Sequence, residues 1–220
     1  MPLKIILTGA TGLVGEGVLL ECLQNPAIEQ VLIVNRKHFD LAHPKLRELL
    51  VPDFMHLEAV TDQLSGYDAC FYCAGISSAG MSEPDYTHIT YDITLHFAAT
   101  LLALNPQMTF CFISGAQTDS TEKGRIMWAR VKGRTENALA TLGFAHEVNL
   151  RPGFMKPMPG QRNVRSYYRI FAALFPVLIK LFPNQGCTLQ DLARAMIHTA
   201  LTGAPKPILE NKDIKALATS

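Results

Sequence analysis

Three glycines near the amino terminus have the spacing of a phosphate-binding turn. Gly9, Gly12 and Gly15 lie in the run TGATGLVG (residues 8–15), between an apolar stretch and a helical pattern. Glycines at these positions allow a tight turn, a close approach of the main chain to a pyrophosphate, and close packing of helix on strand. The N–H groups and positive dipole end of the following helix would face the phosphates. The run therefore predicts a dinucleotide site, and the lack of a GKS or GKT sequence disfavours a nucleotide-hydrolysing loop.

The residues that close the second predicted strand indicate which dinucleotide would bind. Asn35, Arg36 and Lys37 stand there, roughly 20 positions after the last glycine of the turn. An acidic side chain at this place would bind the ribose hydroxyls of NAD and repel a 2′-phosphate. An amide and two cations have the opposite preference, and the Arg36 guanidinium can donate two hydrogen bonds to one phosphate. We expect NADP(H) in preference to NAD(H); the alternative is that Arg36 and Lys37 form only a solvated basic loop.

The composition excludes several other classes of protein. The 220 residues contain 20 Lys and Arg against 19 Asp and Glu, and this balance does not favour a nucleic-acid partner. Hydrophobic residues make up 48%, which is typical of a folded globular core. The longest apolar run, residues 170–179, is interrupted by Pro176 and is shorter than the roughly 20 residues of a membrane span. Residues 3–8 form an apolar strand pattern that already contains Lys4, so we expect no signal peptide and a cytoplasmic location.

The cysteines favour neither disulfides nor a metal site. Their number is five, and an odd count argues against a disulfide framework. Cys70 and Cys73 form a C-x-x-C sequence, but it lies in a strand pattern, where positions three apart point to opposite faces. We therefore predict that both are core residues and that the chain holds no metal.

Apolar strand-like runs alternate with helical patterns along most of the chain, which is typical of a parallel sheet with crossover helices. The predicted strands cover residues 3–8, 31–34, 55–60, 69–72, 109–113 and 147–150. The predicted helices cover residues 13–23, 84–104 and 126–142, with a short helix before residue 55. This order predicts an α/β fold, a doubly wound parallel sheet of the Rossmann type with helices on both faces.

The alternation of strand and helix patterns ends after residues 151–153 (RPG), where prolines divide the chain into short segments. We predict a single domain over residues 1–220, with residues 154–206 as a small C-terminal lobe that contains helices near 163–181 and 189–201. The apolar segment 167–182 could be buried against the sheet, roof a substrate pocket, form a homodimer interface or rest on a membrane surface.

The combination of these motifs resembles the atypical short-chain dehydrogenase/reductase superfamily. The resemblance rests on the glycine run, on CAG at 73–75, on Ser114 after the fifth strand, on Lys132 in the next helix and on RPG at 151–153. The length and the ending LENK (209–212) are similar to the branch of Tat-interacting-protein-like oxidoreductases. The resemblance implies a Rossmann sheet, a small substrate lobe and a nicotinamide cofactor.

The resemblance also implies roles for individual residues. The residues it places at the pyrophosphate are Gly9, Thr11, Gly12, Leu13 and Gly15. The residues it places along the rest of the cofactor are Arg36 at the 2′-phosphate, Asp62 by the adenine, Ala74 and Gly75 at the ribose, Lys132 at the nicotinamide ribose, and Pro152 and Gly153 beside the nicotinamide.

One position departs from the superfamily pattern. Members of the superfamily carry Tyr-x-x-x-Lys on one helical face, where the tyrosine is the general acid and the lysine lowers its pKa. This chain has Trp128 four residues before Lys132. An indole N–H donates a hydrogen bond but cannot deliver a proton near neutral pH. Ser114, Trp128 and Lys132 are therefore the candidate catalytic residues, without the usual acid.

Three explanations follow from this departure. The hydride could go to an acceptor that water can protonate, such as a flavin or a quinone. Another group could supply the proton, with Ser114, His88 and His96 as candidates. The protein could instead bind NADPH without turnover, as a sensor or partner-binding protein. The predicted partner in the first two cases is a small-molecule substrate or hydride acceptor.

Overall fold

The computed structural model describes residues 2–164, 175 and 179–219. Its strands are β1 Leu3–Thr8, β2 Ile28–Asn35, β3 Leu46–Leu50, β4 Ala69–Tyr72, β5 Thr109–Ile113, β6 His146–Arg151, β7 Phe154–Lys156, β8 Gly186–Thr188 and β9 Ile208–Glu210. Within these ranges, seven strands pair in parallel in the order β3-β2-β1-β4-β5-β6-β9, while β7 and β8 form a separate parallel pair. The chain therefore crosses over between neighbouring strands, and the carboxyl ends of β1, β2, β4 and β5 meet at one edge.

Helices provide the crossovers. They are α1 Leu13–Gln24, α2 Glu83–Thr87, α3 Ile93–Leu104, α4 Met127–Leu139, α5 Leu189–Thr202 and α6 Asn211–Ala218. A π-helical segment, His88–Asp92, joins α2 to α3, and a 3-10 helix covers Glu58–Leu64. The Ser82 hydroxyl caps α2, and Thr188 and Asp191 form a reciprocal capping box at α5. These caps satisfy N–H groups that a helix start would otherwise leave without partners.

Each face of the sheet has its own apolar core, because neighbouring strand residues point to opposite sides. Ile5 and Leu7 belong to the cluster formed with α1 and α5, whereas Ile6 belongs to the cluster formed with α3. Cys70 lies in the second cluster and Cys73 packs against the first, so the C-x-x-C pair is split between the two cores as predicted. Helices on both faces of a parallel sheet confirm the doubly wound α/β fold.

The third strand was predicted in the wrong place. Residues 46–50 form β3, where a short helix was expected. The predicted strand 55–60 is not formed, and its last three residues begin the 3-10 helix Glu58–Leu64. β3 is an edge strand, and among the described strands it pairs with β2 alone. Leu46 and Leu49 are each buried in one of the two cores, while Arg47 and Leu50 are exposed. Buried leucines three residues apart imitate the spacing of a helix, which explains the error.

In the C-terminal part, the structure describes residues 154–164, 175 and 179–219. The helix expected at 189–201 is confirmed as α5, whereas the helix expected at 163–181 falls largely outside the described residues. The lobe boundaries, the homodimer and the membrane contact of segment 167–182 therefore stay predictions. Within the described ranges, no helix is long and apolar enough to cross a bilayer.

A buried ion pair ties α4 to the sheet. The Arg151 guanidinium donates to both carboxylate oxygens of Glu136, with Nε 2.9 Å from Oε1, and its Nη2 also donates to the Ser120 hydroxyl. Glu136 is 2% exposed and Arg151 9%. A buried charge without its partner is costly, so this pair holds α4 in one position over β6.

Glu147, on β6, gives the fold a pH dependence. Burial raises the pKa of its carboxyl to about 8, with a further rise from the Glu136 charge and a partial offset from its hydrogen bond with Asn149. Its Oε1 has no hydrogen-bond partner among the described residues. Because the pKa is higher in the folded than in the unfolded chain, the folded state gains stability from the proton at low pH. That contribution is lost as the pH rises from about 4.5 to about 8.

We predict that Glu147→Gln removes this loss. The variant should be more stable than the wild type above pH 8, by roughly 1–3 kcal/mol, because no buried carboxylate forms. Urea denaturation at pH 5, 7 and 9 measures the difference, with exposed Glu58→Gln as the control. Stability curves for Glu147→Gln and wild type that stay parallel over this range would contradict the assignment.

Candidate functional site

The glycine turn is built from main-chain contacts that leave no room for a side chain. Gly9 has a φ of +74°, and a Cβ there would stand 2.7 Å from the carbonyl of Cys73 at the end of β4. A Cβ on Gly15 would stand 2.2 Å from the Gly9 carbonyl oxygen. The Gly12 N–H donates to that same oxygen at 2.9 Å. These contacts bring the start of α1 against the ends of β1 and β4, as the spacing of the glycines predicts.

Two adjoining cavities open beside this turn. The smaller cavity, of about 130 Å³, lies at the ends of β1, β2 and β4 and is lined by Gly9, Asn35, Arg36 and Phe54 among others. The cleft, of about 700 Å³, runs from the glycine turn towards β5 and is lined by residues that include Thr11, Gly12, Leu13, Ser114 and Lys132. Ala74, Gly75 and Ile76 line both. Glycine turn, smaller cavity and cleft therefore form one continuous site.

The smaller cavity contains a polar group without a partner. Asn35 is 3% exposed, and among the described residues its Nδ2 has no hydrogen-bond partner. A buried amide donor left in this state is costly, and a ligand acceptor in the cavity would satisfy it. Arg36 is exposed at the rim and lines the same cavity. Lys37 is exposed as well but is not part of the lining.

Asp62, which was expected by the adenine, lies outside the lining of both cavities, and its role stays a prediction. Asp62 is exposed on the 3-10 helix and does not line either cavity. Asp53 and Phe54 line the smaller cavity instead. Since β3 ends at residue 50, the residues just after it reach the carboxyl edge of the sheet, and Asp62 lies further along the chain.

The far end of the cleft brings together two of the three candidate catalytic residues. Ser114, at the end of β5, is 5% exposed, and its hydroxyl is 2.9 Å from that of Thr118. Lys132 Nζ donates to the carbonyls of Ile113 at 3.1 Å and Ser114 at 2.9 Å. Both Ser114 and Lys132 line the cleft. The structure thus places the lysine directly beside the serine.

Trp128 lies one helical turn before Lys132. It is half-buried, and its Cζ3 is 3.7 Å from the place where a Cβ on Gly115 would stand. The indole therefore packs on the main chain next to Ser114 and is not part of the cleft lining. His88 and His96 do not line the cleft either, and His88 is 3.3 Å from Asp92.

Burial lowers the pKa of Lys132 to about 8, against a smaller opposing effect of the Glu136 charge. Glu136 itself is bound by Arg151 and provides no direct partner for the amine. Two of the three N–H groups of the lysine are used by carbonyls, and its Nζ lies 5.6 Å from the centre of the Phe112 ring. The amine is thus fixed in direction and retains one donor for a ligand.

Pro152 and Gly153 are not part of the described lining of the cleft, and their place beside a nicotinamide stays a prediction. The Pro152 carbonyl accepts from the Ala116 N–H at 2.9 Å, and the Gly153 N–H donates to Asn211. A Cβ on Gly153 would stand 2.2 Å from the Gln185 carbonyl oxygen. Met155, two residues after Gly153, lines the cleft, although the sequence did not single it out.

The comparisons with known proteins agree with this arrangement. A model of the NAD dependent epimerase/dehydratase family matches residues 5–120, which hold the glycine turn and the smaller cavity. The structure is similar to the Bordetella bronchiseptica enzyme WbmF in complex with NAD+, with a TM-score of 0.67 and 15% identity over 99% of this chain and 76% of that one. It is also similar to Helicobacter pylori ADP-L-glycero-D-manno-heptose-6-epimerase, with a TM-score of 0.67 and 14% identity over 99% and 81%. These likenesses show the fold.

Curated relatives carry another kind of information. The mitochondrial protein fmp52 of Emericella nidulans is 26% identical over 167 residues, which are 73% of this chain and 69% of the relative. Its counterpart from Aspergillus fumigatus is 27% identical over 167 residues, 73% and 68% of the two chains. The names of these relatives place them in mitochondria. The cytoplasmic location expected from the sequence is therefore wrong, because the amino-terminal pattern on which it rested carries no information on organelle import.

Proposed function

The chain belongs to the NAD dependent epimerase/dehydratase family, and we propose that it is an NADP(H)-binding oxidoreductase of the atypical short-chain dehydrogenase/reductase type. The observation that carries this proposal is the continuity of the site. An amide and an arginine lie at one end, the glycine turn lies in the middle, and Ser114 beside Lys132 lies at the other. A dinucleotide has the same order of parts, with adenosine, diphosphate and nicotinamide riboside in sequence.

The residues present fit the adenosine end of such a cofactor. Phe54, Ile89 and Ile93 give the smaller cavity apolar walls for a flat base. The Asn35 amide, which has no partner among the described residues, would donate to the ribose, and the Arg36 guanidinium would bind the 2′-phosphate. An uncharged side chain at the end of β2 supports NADP(H), since it removes the repulsion that a carboxylate would exert on that phosphate.

The nicotinamide end would lie by Ser114 and Lys132. The remaining N–H of Lys132 would hold a ribose hydroxyl, and a bound reduced nicotinamide supplies the hydride. Trp128 cannot protonate the product, because its indole N–H is not acidic near neutral pH. The proposal therefore favours an acceptor such as a quinone or a flavin, whose reduced form takes its proton from water.

The second candidate function is NADPH binding without turnover, as a sensor or partner-binding protein. The packing of Trp128 on Gly115 favours it, since the position of the family's acid is filled by a side chain that faces the main chain. Both candidates share the same cofactor site and differ only in hydride transfer.

We predict that Arg36→Ala weakens NADPH binding by roughly 10–100-fold and leaves NADH binding nearly unchanged, because only NADPH carries the 2′-phosphate. Isothermal titration calorimetry of the two nucleotides measures both affinities. Arg125→Ala is the control for loss of a positive charge, since this arginine is exposed and lies outside the described lining of both cavities. Equal losses for NADPH and NADH in Arg36→Ala would rule out the 2′-phosphate assignment.

Turnover is tested by following NADPH absorbance with menadione or flavin mononucleotide as the acceptor. We expect protein-dependent oxidation that Lys132→Met lowers by about 10-fold or more, because the ribose loses its positioning donor. Lys123→Met, an exposed lysine in the loop before α4, is the control. Tight NADPH binding without oxidation of NADPH by either acceptor would count against the oxidoreductase and in favour of the non-catalytic binder.

A further inference from the structure

Residues 158–164, here called the strap, cross the start of α1 from the C-terminal part of the chain. The Gln161 side-chain amide donates to the Leu13 carbonyl at 2.7 Å. The Gln161 Oε1 accepts from the Met158 N–H at 2.6 Å, which folds the strap on itself. The strap is thus fastened to the helix whose first residues form the phosphate-binding turn.

Glu16 is the main anchor of the strap. It lies in the first turn of α1 and is 2% exposed. Its two carboxylate oxygens accept from the main-chain N–H groups of Arg162 at 2.7 Å and Asn163 at 2.8 Å. Hydrogen bonds to an ionised acceptor are among the stronger ones in proteins, so this carboxylate fixes the main chain from which the Arg162 side chain extends.

The Arg162 side chain is held at its end by the loop after β2. Its Nη1 donates to the Asp40 carbonyl at 2.8 Å, in the loop after β2. Arg162 lines the cleft together with Thr11 and Gly12 of the glycine turn. A guanidinium has five N–H donors, and the contact with Asp40 uses one of them. Among the described residues the guanidinium has no other hydrogen-bond partner, so its remaining donors can face a ligand beside the glycine turn.

Arg162 and Arg36 belong to different parts of the site. Arg36 lines the smaller cavity with Asn35 and Asp53, at the adenosine end. Arg162 lines the cleft at residues 11–14, at the diphosphate position. Since both nucleotides contain the diphosphate and only one contains the 2′-phosphate, the two arginines should differ in what they discriminate.

We propose that Arg162 of the strap binds the diphosphate of the dinucleotide, and that Glu16 is a positioning residue that holds Arg162 over the glycine turn. This inference rests on the proposed function, because it needs a dinucleotide in the cleft. Arg162, from the C-terminal lobe, would then contribute to the diphosphate site. Cofactor affinity would depend on the contact of Glu16 with the strap, which joins distant parts of the chain.

The experiment is calorimetric titration of the wild type, Arg162→Ala and Arg36→Ala with NADPH, NADH and adenosine 2′-monophosphate. The third ligand carries the 2′-phosphate but no diphosphate. Arg162→Ala should weaken NADPH and NADH alike, by roughly 10–100-fold, and leave the monophosphate unchanged. Arg36→Ala should weaken NADPH and the monophosphate and leave NADH unchanged. Arg125→Ala, an exposed arginine outside both cavities, is the control for loss of a positive charge.

Glu16→Gln tests the positioning role. A glutamine has one carbonyl oxygen, so it can accept well from only one of the two N–H groups of the strap. We expect the variant to weaken NADPH and NADH by about threefold to tenfold. The double variant with Arg162→Ala should bind no more weakly than Arg162→Ala alone, because Glu16 acts through that side chain. Additive losses would overturn the positioning role, since a merely structural effect would not depend on Arg162.

The remaining outcomes separate this inference from the function on which it rests. A wild type that binds neither dinucleotide would overturn both. Normal binding by the wild type, with Arg162→Ala equal to Arg125→Ala, would overturn the role of Arg162 alone. A loss for NADPH without one for NADH would place Arg162 at the 2′-phosphate and overturn the diphosphate assignment, and weaker binding of the monophosphate would do the same.

Discussion

The close approach of Gly15 to the Gly9 carbonyl is the contact on which the geometry of the site depends. A side chain on Gly15 would push α1 away from the end of β1, and one on Gly9 would push the end of β1 away from the main chain that follows β4. With α1 in place, its first N–H groups face the cleft, and Glu16 is brought under the strap. The parallel register aligns Thr8 with Tyr72 and with Val34, so three strands end at the same level around the turn. The two glycines thereby determine the position of the phosphate-binding turn and of the strap that Glu16 holds.

The distribution of charge follows from how the buried carboxylates are satisfied. Glu136 is bound by Arg151, and Glu16 by two main-chain N–H groups, so neither directs its charge at the cavities. Among the described residues, the charged side chains of the lining are Arg36, Lys132 and Arg162, against Asp53. Such a lining suits a ligand with several phosphate charges. The Arg151–Glu136 pair also holds α4 over the sheet, which keeps Lys132 within hydrogen-bond distance of the Ser114 carbonyl.

The limits of prediction from sequence have physical causes. The strands Leu3–Thr8, Ala69–Tyr72 and Thr109–Ile113 were predicted with their observed bounds, because strands buried on both faces are continuous apolar runs. The edge strand β3 buries Leu46 in one core and Leu49 in the other, and this spacing imitates a helix, so the third strand was expected too far along the chain. The bond from Glu16 to Arg162 joins residues 146 positions apart. No local pattern marks such a contact, since the sequence alone does not show where the strap crosses α1.

Titration of the ligand-stripped protein with NADPH, followed by tryptophan emission, tests directly whether the dinucleotide binds with its nicotinamide end beside Ser114. Trp128 is the single tryptophan and packs beside Ser114, at the end of the cleft assigned to the nicotinamide. We expect saturable quenching of Trp128 at micromolar NADPH, with energy transfer to the reduced nicotinamide. Calorimetric binding of NADPH that leaves Trp128 emission unchanged would contradict the orientation of the dinucleotide in the cleft, and the absence of any binding would contradict the site itself.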